Sequence, residues 1–318
     1  MPLRIAGAAL TVLLVLAATS RGAAGAPAQT GGVPLRQVDW DTVLANDPLV
    51  QSGSTSVQGE SPCIPGPVSG LGPCVSVTLA QPVLVNGLGP VTGFAGYADT
   101  LATIYADLDG DGLEEAVIPT ESTGSGGSFG FLVYHQAGAG PQLVATYPGY
   151  KLSERVANGV LQVRQPFYFG FEGNCCPTGS TIHGYLLGDS GLADAAAPTF
   201  ALLSQDSEVP ATPAEITVAG YYRALNQRAF AVAYALLSPS ARAQFVSFDD
   251  FMAGFATTTS VSAMVSAGAD VHEVLVTIAS THSATDGSTV SQTFAGSWFL
   301  IDDPAAPLGV YLDAASID

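Results

Sequence analysis

The sequence predicts an α+β protein: a disulfide-stapled, antiparallel β-rich first half, followed by a second half in which helices precede a curled antiparallel sheet. Three observations carry this. From Val75 to Leu187, short apolar or alternating runs are separated by turn residues, the pattern of an antiparallel sheet. From Thr212 onwards the period switches to that of helices and then back to two. The four cysteines all fall in the first half, at Cys63, Cys74, Cys175 and Cys176.

The chain has 318 residues, room for about two domains, is 47% hydrophobic and only 11% charged. Residues 1–28 read as an export signal. Arg4 supplies the positive start, Ile5 to Ala18 the apolar stretch, and Ala24-Gly25-Ala26 and Ala26-Pro27-Ala28 offer cleavage sites. Pro27 disfavours a cut after Ala26, so Ala28 is the expected end; the alternative is a retained N-terminal anchor. No Cys lies near the signal, which excludes a lipid anchor on Cys. Removing residues 1–28 takes away Arg4 and Arg21 and no acid, moving the formal charge from −18 to −20. Phosphate backbones and anionic membrane surfaces repel such a chain, so nucleic acid and membrane, beyond the export signal, are not expected partners. The expected location is secreted or extracytoplasmic.

The expected domains are residues 29–190, β-rich with two disulfides, and 212–318, with 191–211 as a linker. Val38 to Val50 suits a short helix capped by Asp39 or Asp41. Residues 59–74 are a Pro-, Gly- and Ser-rich loop holding Cys63 and Cys74. The strands read as Val75–Leu79, Leu101–Tyr105, Glu115–Pro119, Phe129–His135, Gln142–Tyr147, Val160–Gln165, Phe167–Phe171 and Thr181–Leu187. An even number of Cys in an exported chain suggests two disulfides. Adjacent Cys close a strained eight-membered ring, so Cys175 and Cys176 are each expected to join one of Cys63 and Cys74. A four-thiolate zinc site lacks its usual C-x-x-C spacing.

In the second half, Thr212-Pro213-Ala214-Glu215 forms a capping box with Pro at the first helical position. Ile216, Ala219, Tyr222 and Leu225 make one apolar stripe. Further helices are expected from Arg228 to Leu237 and from Ser247 through Phe255. Strands Val271–His282 and Thr289–Ile301 flank the turn Thr285-Asp286-Gly287-Ser288, and Leu308–Leu312 closes the sheet.

The sharpest motif is Asp107-Leu108-Asp109-Gly110-Asp111-Gly112-Leu113-Glu114-Glu115. Asp107, Asp109 and Asp111 at positions one, three and five direct three carboxylates at one centre. Gly112 permits the turn, and Glu115 at position nine can add a ligand directly or through water. These are the opening positions of an EF-hand loop, but position twelve is Ile118 and a strand follows. The cofactor expected is a weakly held structural Ca²⁺, with an affinity on the order of 10⁻⁴ to 10⁻³ M. The same residues also suit a metal-free turn. His135, His183, His272 and His282 show no metal-binding spacing and read as surface or core residues. No G-x-S-x-G elbow occurs, and Gly124-Ser125-Gly126-Gly127-Ser128 lacks the Lys of a phosphate loop.

The acidic turn from Tyr105 to Val117, together with Asn174-Cys175-Cys176-Pro177-Thr178-Gly179, resembles the LppP/LprE-type lipoproteins of actinobacteria. The resemblance spans roughly residues 36–190 and implies an exported domain without a defined activity; the lipid-bearing Cys of that family is missing here. Tyr221 to Phe230, Ala233 to Ser238, Phe251, Gly254-Phe255 and Thr258 resemble the NTF2-like superfamily over about residues 211–316. This implies a cone with a concave pocket, for which Tyr221, Tyr222, Phe251, Phe255 and Trp298 are candidate lining residues. The Asp and His of the enzymatic members match no pair here. The expected function is therefore a non-catalytic binding or accessory protein, taking a small apolar ligand or a protein partner. The alternatives are an NTF2-like isomerase or dehydratase, and a calcium-stiffened cell-surface module.

Overall fold

The computed structural model describes residues 33–47, 58–59, 77–78, 84–85, 96–122, 127–173, 175–203 and 207–318. The expected signal, Cys63 and Cys74 lie outside them. After a 3₁₀ turn at Leu35–Gln37, helix α1 runs Trp40–Asn46. Asp39 is its cap, accepting from the Thr42 N–H. Trp40 and Leu44 are buried against Ala116, Ile118, Leu132 and Tyr134.

Strands β1 (Gln58–Gly59) and β2 (Val77–Thr78) pair with each other. The first large sheet holds β3 (Leu84–Val85), β4 (Gly96–Ala98), β5 (Ile104–Ala106), β6 (Glu115–Ser122), β7 (Ser128–Ala137), β8 (Gly140–Ala157), β9 (Val160–Phe167), β10 (Gly179–Gly188), β11 (Gly191–Asp194), β12 (Thr199–Leu203) and β13 (Glu208–Ala211). Its order is β13-β12-β10-β9-β8-β7-β6-β4-β3, with β11 beside β10 and β5 beside β6. The pairings are antiparallel except β3 with β4. Alternation splits β6 and β7 between two cores. Ala116, Ile118, Leu132 and Tyr134 face α1, whereas Val117, Phe131 and Val133 join Leu108, Leu161, Val163 and Tyr185. A strand buried on both faces reads as a continuous apolar run, as Ala116 to Ile118 does.

Helix α2 (Pro213–Asn226) starts at the capping box: the Thr212 hydroxyl accepts from the Glu215 N–H, and the Glu215 carboxylate accepts from the Thr212 N–H. Helices α3 (Phe230–Leu236), α4 (Pro239–Arg242) and α5 (Phe248–Ala253) follow, the last two capped by Ser238 and Ser247. The second large sheet is β14 (Thr258–Ala267), β15 (Glu273–Ser283), β16 (Thr289–Asp302) and β17 (Val310–Ile317), antiparallel in sequence order. One core joins both sheets. Phe167 at the end of β9 and Phe169 just beyond it pack with α2, and α2 with Val261, Val274, Val276, Ile278 and Trp298 of the second sheet. A helix covered from two sides is buried almost all round, which is why its apolar positions exceed a single stripe.

The structure corrects the expected α+β class and its NTF2-like cone. Among the described residues, three largely antiparallel sheets stand against five α-helices, four of them of seven residues or fewer, so the protein is β-rich. Helices do follow Thr212, but only α2 is long, and the strands of the two large sheets outweigh them. Residues 191–211, expected as a linker, carry β11, β12 and β13 and extend the first sheet. The expected pairing of the cysteines is also corrected. Cys175 is joined to Cys176, across a turn in which the Cys176 N–H donates to the Gly173 carbonyl at 3.0 Å. The adjacent pairing set aside on grounds of ring strain is the one this turn accommodates.

Candidate metal centre

The acidic loop connects β5 to β6, which pair with Ala106 opposite Glu115. Residues 107–114 therefore form the hairpin connection itself. Gly110 and Gly112 take φ of 77° and 88°, a region closed to most side chains. Asp107 organises the turn: one oxygen accepts from the Gly110 N–H at 2.7 Å and the other from the Gly112 N–H at 3.1 Å. Asp109 accepts from the Asp111 N–H at 3.0 Å, and Asp111 from the Leu113 N–H at 2.7 Å. Leu108 is the anchor. Its side chain is buried in the core, and its carbonyl accepts from Leu187 N–H of β10 at 3.0 Å. At the rim, Arg36 donates to both oxygens of Glu114, which holds the Glu114 carboxyl below its ordinary range.

One oxygen from each of Asp107, Asp109 and Asp111 lies within 4.8 Å of the others. Oxygens bound to one Ca²⁺ at about 2.3–2.6 Å stand at most about 5 Å apart, so the three fit a single coordination sphere. A carboxylate oxygen accepting one backbone N–H, as each oxygen of Asp107 does, keeps a lone pair for a cation. The donor set is all oxygen, which suits a hard cation.

Glu115 does not gather with Asp107 and Asp111. Its side chain is wholly buried; one oxygen accepts from the Leu108 N–H at 2.7 Å and the other lies 3.0 Å from Nδ1 of His135. His135 is also 4.0 Å from Asp109, and Asp109, Glu115 and His135 form a second cluster of potential ligands. The four expected ligands thus divide into two groups that share Asp109. Burial raises the Glu115 carboxyl, opposed by the bonds to His135 and Leu108; burial also raises that of Asp109. His135 was missed in the sequence because its proximity depends on strand register. Tyr134 of β7 pairs with Ala116 of β6, which brings the next residues, His135 and Glu115, side by side.

The aromatic residues proposed to line a pocket pack on one another. Tyr221, Tyr222, Phe251 and Trp298 are buried, and Phe255 lies partly buried against them. Tyr221 and Trp298 meet edge to face, and Trp298 Nε1 donates to the Tyr222 hydroxyl at 2.9 Å. Of the other histidines, His272 is exposed between Asp270 and Asp302, and its hydrogen bond to Asp302 raises its pKa. His282 contacts the hydroxyls of Ser280 and Thr258. Neither stands beside a buried carboxylate, the arrangement an acid–base pair in the second half requires. His183 stacks on Tyr185. Among the described residues, no helix is long and apolar enough to cross a membrane.

No family model matches the chain. No curated protein matches it.

Proposed function

We propose that this chain is an exported, extracytoplasmic protein without turnover, a binding or accessory module whose first sheet is stiffened by a divalent cation of the calcium type. The observation that carries the reading is the convergence of Asp107, Asp109 and Asp111 in a hairpin fastened to the core through Leu108. A cation held by these residues would lock the β5–β6 connection to β10 by way of Leu108. The apolar N-terminal stretch, the −20 charge that remains without it and the resemblance to exported actinobacterial domains support the location.

The test is a thermal melt of the purified protein in millimolar CaCl₂ and in EDTA. A cation bound only by the folded state, at about ten times its Kd, stabilises by roughly 1–2 kcal/mol. That is a rise of a few degrees in Tm for a chain of this size, and Asp109→Ala abolishes it. An unchanged melt overturns the reading.

A further inference from the structure

Two of the chain's nine basic residues, Arg155 and Arg164, share one face of the first sheet. The register sets this: Arg155 of β8 stands opposite Gln162 of β9, and Arg164 of β9 opposite Ser153 of β8 and Ile182 of β10. Leu161 and Val163, one residue out of phase, point to the core on the other face. On the first face, Arg155, Gln162, Arg164 and Ile182, together with Glu208 and Pro210, line a groove of about 600 Å³, within the range of small-molecule sites.

The two guanidinium groups are not equivalent. Arg164 is tied back: its Nε lies 3.0 Å from Glu208 and 3.3 Å from the Ser180 hydroxyl, which itself reaches Glu208. Arg155 spends its Nε on Gln162 at 2.8 Å, which fixes the plane of the fork; its terminal nitrogens have no acceptor among the described residues. A planar fork held in place by one partner, with its outer donors open, matches a carboxylate in bidentate geometry. Ile182, opposite Arg164, and Pro210 of β13 supply apolar surface farther along the same groove. In a chain of formal charge −18, cations with an open fork are scarce, and this groove is one place where an anion meets favourable charge.

We propose that this groove binds a small organic carboxylate, its head on the Arg155 fork and a short apolar body lying along the groove towards Ile182. The proposal is independent of the metal loop, and its test is run in EDTA so that the two cannot be confused. The full-length protein is titrated with hexanoate by calorimetry and by backbone amide shifts, with hexanamide and hexylammonium as the neutral and cationic counterparts. Hexanoate is expected to shift residues 153–155, 162–164 and 208–210 and to bind at least tenfold more tightly than either counterpart. Arg155→Gln is expected to weaken it at least tenfold, and Arg155→Lys, which keeps the charge and loses the fork, by an intermediate factor. Arg155 is exposed, so both variants are expected to keep the parent melting temperature. Equal binding of hexanamide, shifts confined to another surface, or full affinity in Arg155→Gln would each overturn the proposal.

Discussion

His135 Nδ1 lies 3.0 Å from a carboxylate oxygen of Glu115, whose side chain is wholly buried, while the other Glu115 oxygen receives the Leu108 N–H. One side chain therefore satisfies a buried backbone donor and meets an imidazole on the neighbouring strand. Glu115→Ala strands the Leu108 N–H in the core, at a cost of about 1–3 kcal/mol. Glu115→Gln keeps an oxygen for the Leu108 N–H and a polar group facing His135, so its loss is smaller. Urea denaturation of the two variants checks the order; equal losses would mean that the carboxylate charge, not the hydrogen bond, sets the stability of the loop.

A second buried carboxylate ties the connection between β9 and β10 to α2. Glu172 accepts from the backbone N–H groups of Phe169 and Thr178 and from the Thr178 hydroxyl, and pairs with Arg223 of α2 at 3.0 Å. Arg223 reaches on to the Cys176 carbonyl at 2.9 Å. Arg223→Ala leaves the buried Glu172 without its cation, and the expected loss is about 3 kcal/mol. Glu172→Gln in that background recovers part of the loss, because it removes the uncompensated charge. If the double variant is weaker than Arg223→Ala alone, the neutral bonds of Glu172 outweigh its ion pair.

What the sequence discloses here is local. The Thr212–Glu215 box with Pro213, the Ser247 cap and the Asp286-Gly287 turn each depend on residues within four positions, and each occurs. The hairpin at Asp107–Glu115 was legible for the same reason. Register is not local: nothing within a few residues of His135 signals Glu115, twenty positions away. The strands at 191–211 were hidden because their Ala- and Pro-rich flanks resemble a linker, although Phe200 and Leu202 pack on the shared core. The Cys175–Cys176 pairing turned on the geometry of one turn, where a general rule about ring strain pointed elsewhere.

Glu154 on β8 gives the fold a pH dependence. It sits over the buried Ser128, whose hydroxyl donates to it at 3.3 Å, with Glu121 nearby. Burial pushes its pKa from 4.5 up to about 7. Between these values the folded protein keeps a proton that the unfolded chain has released, so the stabilising contribution is complete below the lower value and is lost as pH rises through the higher. Glu154→Gln is expected to match the parent near pH 4 and to exceed it by about 3 kcal/mol at pH 8. Denaturation midpoints across pH 4–8 check this. Parallel curves for parent and variant would show that Glu154 does not hold its proton in the fold.

Gly220, in the middle of α2, is explained by contact and not by backbone conformation. A methyl group there would enter the ring of Phe169, which is fully buried and meets Phe167 edge to face. In an exposed helix, Gly→Ala stabilises by about 1 kcal/mol. Here the overpacking, about 1–3 kcal/mol or more, reverses the sign. Gly220→Ala is therefore expected to destabilise, and the loss to vanish once Phe169→Leu removes the far edge of the ring. A double-mutant cycle by chemical denaturation measures this coupling. A cycle in which the two effects simply add would separate Gly220 from Phe169, and with it the close approach of α2 to the first sheet.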